Sequence, residues 1–212
     1  MKEKPILFST PMVRAILDGR KTVTRRVIKP QPSLLRDNTK YRCDGFSDEI
    51  DGDGRYYVER LDDNGEPSED YISIEPPPRY IYGDILWVRE TWSPFRPEHI
   101  IDGKQYAYKA DELSGDSRAA RIAYGYKWKP SIFMPREACR IRLRVTDVRI
   151  ERLQEIPGED IAKEGFINPI FPKAKYEFMV LWDKLNEKRG YGVNSNPYVY
   201  VYEFERIKEG MS

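Results

Sequence analysis

The densest run of chemically useful side chains is Gly19-Arg20-Lys21-Thr22-Val23-Thr24-Arg25-Arg26. A threonine hydroxyl is a weak nucleophile unless a base lies within hydrogen-bond reach. Thr24 and Lys21 are the two residues of those types here. Lysine becomes a base near neutrality only if its pKa falls from about 10.4 toward 7, about 4 kcal/mol of destabilised charge. Burial and neighbouring cations both push that way, and Arg20, Arg25 and Arg26 supply the cations. On a regular strand Lys21 and Thr24 point to opposite faces, while Thr22, Thr24 and Arg26 share one. Lys21 must therefore sit in the turn after Gly19, or a bulge must re-aim it. The plainer reading keeps Lys21 and Arg25 in solvent, makes Thr24 an ordinary β-former and pairs Arg26 with an acid.

Other stretches offer binding rather than catalysis. In Trp87-Val88-Arg89-Glu90-Thr91-Trp92, an arginine beside tryptophans can stack a splayed base and meet its phosphate. The alternative is core packing by the two tryptophans with a local Arg89–Glu90 pair. Arg140, Arg142 and Arg144 alternate with Ile141, Leu143 and Val145, which puts three guanidinium groups on one strand face. They could track a phosphate backbone, or form an ordinary exposed face. Tyr198, Tyr200 and Tyr202 share a face of another strand, as packed wall or as base platform; Tyr198 is the candidate for contact.

Several chemistries are set aside. The only histidine is His99, so there is no His-pair metal site and no serine triad of the usual composition. Neither a GxxxxGK[ST] loop nor a GxGxxG loop occurs. Glu49-Ile50-Asp51-Gly52-Asp53-Gly54 looks like part of a calcium loop, but its twelfth position is Arg60 rather than Glu, so a turn in an acidic hairpin is the better reading. No metal and no cofactor is expected.

The elements that must position these residues are set by a chain of 212 residues, 40% hydrophobic and 33% charged, enough to bury a core. No apolar run approaches the roughly 18 residues of a membrane helix. The opening MKEKPILFST lacks a signal-peptide core because Pro5 interrupts it. Two cysteines, Cys43 and Cys139, cannot build a disulfide framework, so a reduced, cytoplasmic protein is expected. The net charge of +1 hides blocks: Arg14 to Lys29 holds six basic residues and one acid, Asp44 to Asp70 eleven acids and two basic residues, Arg136 to Arg152 six basic residues and three acids. Such blocks mark an anion site beside an acidic insertion, or solvated faces.

Lys4 to Phe8 predicts a strand. Thr10-Pro11 opens a short helix with Val13, Ile16 and Leu17 on one stripe, ended at Gly19. Lys21 to Ile28 predicts a second strand. Residues 33–80 and 93–135 read as irregular insertions, the first with one hairpin arm at Tyr56-Tyr57-Val58. Ile85 to Trp92 and Arg140 to Ile150 predict strands, the latter bending or ending near Asp147. A helical turn runs from Pro157 to Glu164, a helix from Tyr176 to Leu185, and a closing strand from Tyr198 to Phe204. The pattern predicts an α+β fold, a small mixed β-barrel with two or three flanking helices.

Gly19, Lys21, Thr24 and Arg26 resemble, position by position, the GxKxxTxR-type signature of the ASCH family, a branch of the PUA-like barrels. Gly83-Asp84-Ile85-Leu86-Trp87-Val88 and Tyr198 to Phe204 resemble two further strands of that family. The resemblance implies a single PUA-like domain over 1–212, its core at about 4–32, 81–92 and 136–208, and its long form is similar to bacteriophage and prophage members. It also implies binding of RNA or a modified nucleoside. One relative of this kind is an amidohydrolase of acetylcytidine with a Lys-Thr-Glu constellation, which maps onto Lys21, Thr24 and Glu164. Direct pairing of Glu164 with Lys21 would oppose a basic lysine, making Glu164 a proton shuttle or a holder of the substrate amine. Three other readings stay open: a non-catalytic RNA-binding module, a metal-independent single-strand ribonuclease, and a phage accessory protein that meets a protein partner through residues 44–70.

Overall fold

The structure, a computed structural model, describes residues 3–33, 35, 41–43, 56–62, 64, 66–95, 105–112, 127–166 and 171–207. His99, the Glu49–Gly54 stretch, Tyr124, Tyr126 and much of the acidic block 44–70 lie outside the described residues. The fold is mixed α+β, with three α-helices and ten strands among the described residues. No helix is long and apolar enough to cross a membrane among them. The chain forms two compact units, each discontinuous in sequence: Met1–Gly19 with Ile85–Leu143 and Arg206–Ser212, and Arg20–Asp84 with Arg144–Glu205.

In the first unit, strand β1 (Glu3–Leu7) leads into helix α1 (Thr10–Leu17). The helix starts one residue earlier than the Thr10 cap expected from sequence: Ser9 is the extended N-cap and Pro11 lies in the first turn, where its missing N–H costs nothing. Val13, Ala15 and Ile16 are its buried residues. Gly19 ends it at φ +74°, a left-handed conformation that a Cβ disfavours. Gly19→Ala is expected to cost about 1 kcal/mol, read as a lower denaturant midpoint.

Strand β6 (Ile85–Arg89) runs parallel to β1, with Ile6 opposite Val88 and Leu7 opposite Arg89. Leu86, Val88 and Glu90 are buried, whereas Trp87 and Arg89 fall on the other parity and are half-buried. The expected irregular stretch after Trp92 contains a hairpin: β7 (Trp92–Pro94) pairs with β8 (Tyr106–Tyr108). Trp92, Met134 and Ala138 make a small core there, with Tyr106, Tyr108 and Cys139 packed on it.

The second unit begins with strand β2 (Val23–Val27), shorter than the expected Lys21 to Ile28. Strands β3 (Tyr41–Arg42), β4 (Tyr56–Leu61) and β5 (Pro67–Ile74) form an antiparallel set, so the presumed insertion contributes ordered sheet. Strand β9 (Arg142–Arg152) pairs with β3 and does not stop near Asp147. Its buried parity changes instead: Leu143 and Val145 are buried, then Val148 and Ile150, and then Glu151 as well. Strand β10 (Tyr198–Arg206) pairs with β2 and β9. Helix α2 spans Gly158–Lys163, and helix α3 spans Phe171–Asn186, beginning a turn before the expected Tyr176. Phe178 and Trp182, one turn apart, pack with Val23, Leu153, Ile156, Ile161, Ala174, Val199 and Val201 into the unit's core. The Trp182 indole donates to the Tyr191 carbonyl at 2.8 Å.

Candidate functional site

The turn at Gly19 leaves Lys21 ahead of β2 rather than in it, as the alternation argument requires. Its backbone forms an isolated antiparallel bridge with Glu164, and the Thr22 N–H donates to the Lys163 carbonyl at 2.9 Å. These bonds hold the C-terminus of α2 against the start of β2. Arg20 adds a bond from Nη1 to the Gly165 carbonyl at 2.9 Å.

The Lys21 side chain is 0% exposed. Its Nζ donates to Glu164 Oε2 at 2.5 Å, the Val23 carbonyl at 2.7 Å and the Glu164 carbonyl at 3.0 Å. Three acceptors match the three protons of an ammonium. Burial nevertheless lowers the Lys21 pKa; Glu164 opposes the shift, and Arg26 and Arg25 reinforce it.

Arg25 lies on the parity of Val23 and Val27, which point into the core. Its Nε donates to Glu151 Oε1 at 2.7 Å, Nη2 to Asp160 Oδ2 at 2.6 Å and Nη1 to Glu164 Oε1 at 3.2 Å. Arg149 extends the chain, with Nη2 on Asp160 Oδ2 at 2.6 Å and Nη1 on Glu203 Oε1 at 2.6 Å and Asp147 Oδ2 at 3.2 Å. Thus Lys21, Arg25 and Arg149 face Glu151, Asp160 and Glu164, and Asp147, Glu203 and Lys163 pair at the edge of the same network. Burial alone would lower the pKa of Arg25, but Glu151 and Glu164 outweigh it and raise it. Glu151 Oε2 accepts no hydrogen bond among the described residues; Arg149 Nε stands 3.7 Å away.

Burial would raise the Asp160 carboxyl, but Arg25 and Arg149 outweigh it and hold it below its ordinary value near 3.8. A depressed carboxylate gives stability that is present in full above its unfolded pKa and is lost as pH falls through the folded one. Asp160→Asn is therefore expected to lower the urea midpoint at pH 7 and to flatten its decline below about pH 4. An acid limb as steep as wild type would contradict this.

Thr24 and Arg26 occupy the opposite parity of β2. Arg26 Nη1 donates to Thr24 Oγ1 at 2.8 Å and to the Arg25 carbonyl at 3.0 Å. Thr24 lies across from Tyr202 in β10, and Arg26 across from Tyr200. Directly opposed residues share a face, so two tyrosines stand beside the hydroxyl and the guanidinium. Tyr80 meets Tyr202 edge-on at 5.1 Å, and the Arg79 N–H donates to the Tyr202 hydroxyl at 3.2 Å. Burial raises the pKa of both Tyr80 and Tyr202 and lowers that of Arg26.

The expected site residues are thus distributed as follows. Lys21 and Glu164 are in contact, Arg25 touches Glu164, and Thr24 and Arg26 touch each other. Arg20 is tied to the backbone that follows Glu164. Tyr198 is 2% exposed, with the Arg152 guanidinium 3.8 Å above its ring, so its ring is packed rather than presented as a platform. Arg89, Glu90, Trp92, Arg140 and Arg142 belong to the other unit. There, Arg140 binds Glu90 in bidentate fashion at 2.9 and 3.0 Å, bonds Asp111 at 2.7 Å and lies 3.9 Å from the Tyr108 ring centre. Burial raises the pKa of Glu90 against the pull of Arg140, and lifts Tyr108 to about 12. Glu90 and Trp92 are 1% and 6% exposed, the first bound to Arg140 and the second packed on Met134 and Ala138. Arg142 is exposed.

Glu151, Asp160 and Arg149 were not anticipated. Asp160 had a signal, because it precedes Glu164 by four residues and so shares its helix face. Glu151 had none, since it follows the parity change in β9. No group of three or more His, Cys, Asp or Glu is placed to hold a metal ion among the described residues. No family model matches the chain, and no curated protein or solved structure is significantly similar to it.

Proposed function

We propose that this chain is an ASCH-type, PUA-like barrel domain that binds RNA or a modified nucleoside at Lys21, Thr24, Arg26 and Glu164, and that it hydrolyses an N-acyl amide of the acetylcytidine kind. The observation that carries this reading is the buried Lys21–Glu164 contact at 2.5 Å, with the Arg26–Thr24 hydrogen bond at 2.8 Å beside it in the sequence motif. The pairing of β10 with both β2 and β9 supports the barrel.

The chemistry closes without an outside reagent. Transfer of one proton from Nζ to Oε2 turns the ion pair into a neutral amine and a carboxylic acid. The amine takes the Thr24 proton as Oγ1 attacks the acyl carbon, and Arg26 Nη1 stabilises the developing alkoxide. The Glu164 acid protonates the departing exocyclic nitrogen as the C–N bond breaks, which restores the ion pair and leaves an ester on Thr24. Water then attacks the ester, giving its proton to Glu164 while Lys21 returns one to Thr24 Oγ1. The lowered pKa of Lys21 favours the neutral amine that the first step needs.

The test is incubation of purified protein with acetylcytidine, with cytidine and acetate followed by chromatography. Stoichiometric release of both is expected. No release at high enzyme concentration overturns the hydrolytic reading. Binding of single-stranded RNA with a steep salt dependence would then identify a reader.

A further inference from the structure

We propose that Arg25, which lies outside the motif residues, is a positioning residue that anchors one oxygen of Glu164 so that the other faces Lys21. The inference rests on the hydrolytic reading of the same site. Glu164 divides its carboxylate: Oε1 accepts from Arg25 Nη1 at 3.2 Å, and Oε2 accepts from Lys21 Nζ at 2.5 Å. Arg25 is itself fixed, because Glu151 and Asp160 take its other two donor directions at 2.7 and 2.6 Å. Its side chain and that of Glu151 are both 0% exposed, so solvent does not compete for these bonds. A planar fork engaged on all sides has little freedom to move.

This arrangement does two things for the chemistry. It makes Oε1 a pivot, about which Oε2 swings from Lys21 to the leaving nitrogen while the carboxylate stays in place. It also sets a cation beside the Lys21 ammonium. Among the described residues, the charged groups that bear on Lys21 include Glu164 across the bridge, Arg25 and Arg26 from β2, and behind them Glu151 and Arg149 from β9 and Asp160 from α2.

The test is the titration of Lys21, read by NMR on protein carrying 13C-labelled lysine, with the resonance assigned by its loss in Lys21→Met. The midpoint should move up in Arg25→Gln, because a guanidinium that opposes the ammonium is gone. In Arg25→Lys, where a cation is restored but the fork is not, it should fall below wild type, because Glu164 loses the anchor that holds Oε2 on Lys21. A wild-type midpoint in Arg25→Lys overturns the proposal, since the charge of Arg25 alone is then enough. If Arg25→Gln does not fold, Arg25→Lys decides through kinetics. A single ammonium does not reproduce the fork, so kcat should fall roughly 10–100-fold with KM nearly unchanged, and wild-type kcat would overturn the proposal. A shifted midpoint in protein that never releases cytidine leaves the positioning role standing and removes the hydrolytic reading alone.

Discussion

Arg25→Ala is expected to destabilise the protein by about 3–5 kcal/mol, the largest stability effect of any single charge removal at this site. The size follows from what is left behind. Glu151, Asp160 and Glu164 all bond this one guanidinium, and Glu151 has no exposure to water. Removing the arginine strands carboxylates where hydration cannot replace it, which costs far more than the pair contributes net. Arg149 still reaches Asp160, and Lys21 still reaches Glu164, so Glu151 is the group most harmed. An exposed pair provides the contrast. Arg136 bonds Glu3 at 2.6 Å, but both side chains are over 40% exposed, and Arg136→Ala should cost under about 1 kcal/mol. The measurement is urea unfolding of both variants at pH 7. The deficit of Arg25→Ala should also narrow as pH falls below about 4, where wild type loses the stability that its depressed Asp160 carboxylate contributes. Equal losses for Arg25→Ala and Arg136→Ala would refute the account.

The plainer reading of the motif, which leaves Lys21 and Arg25 in solvent, fails because both are buried, at 2% and 3% exposed; period-two reasoning accounts for Arg25 once the core side of β2 is known. Val23, Arg25 and Val27 alternate on β2, so a core on the valine face carries Arg25 inward, where only buried acids can satisfy it. The same rule places Glu90 inside, because it shares parity with Leu86 and Val88 on β6. The turn at Gly19 explains how Lys21 escapes the strand. What the pattern did not disclose is which acids answer Arg25. They lie 126, 135 and 139 residues away along the chain, and a carboxylate shows no mark of its partner in local sequence. Glu151 was further hidden by β9, whose buried face changes between Val145 and Val148, ahead of its pairing with β3 at Arg149 and Ile150. The hairpin arm read at Tyr56-Tyr57-Val58 lies in β4, but its partner β5 and the pair β7 with β8 escaped for another reason. The first half of β5 is Pro67-Ser68-Glu69-Asp70, and β7 and β8 are three residues each, too short for alternation to show.

Thr24→Val should abolish acetylcytidine turnover, at least about 10³-fold in kcat, while leaving the fold and nucleoside affinity close to wild type. Valine keeps the β-branched shape and nearly the volume of threonine, so the buried position beside Tyr202 stays filled. What disappears is the hydroxyl, and with it one acceptor for Arg26 Nη1. The guanidinium keeps the Arg25 carbonyl at 3.0 Å, which limits the stability loss to about 1–2 kcal/mol. If Thr24 forms the acyl bond, neither of the two groups set directly against it replaces it: Tyr202 has a raised pKa and Arg26 is no nucleophile. The decisive comparison is therefore kcat against affinity, with cytidine release measured beside calorimetric binding of the same nucleoside. Loss of kcat at constant affinity assigns Thr24 to the bond-making step. A parallel loss of both makes it a binding contact only. Full turnover in the variant would transfer the nucleophile to water activated by the Lys21–Glu164 pair, the one remaining route to the same products through these residues.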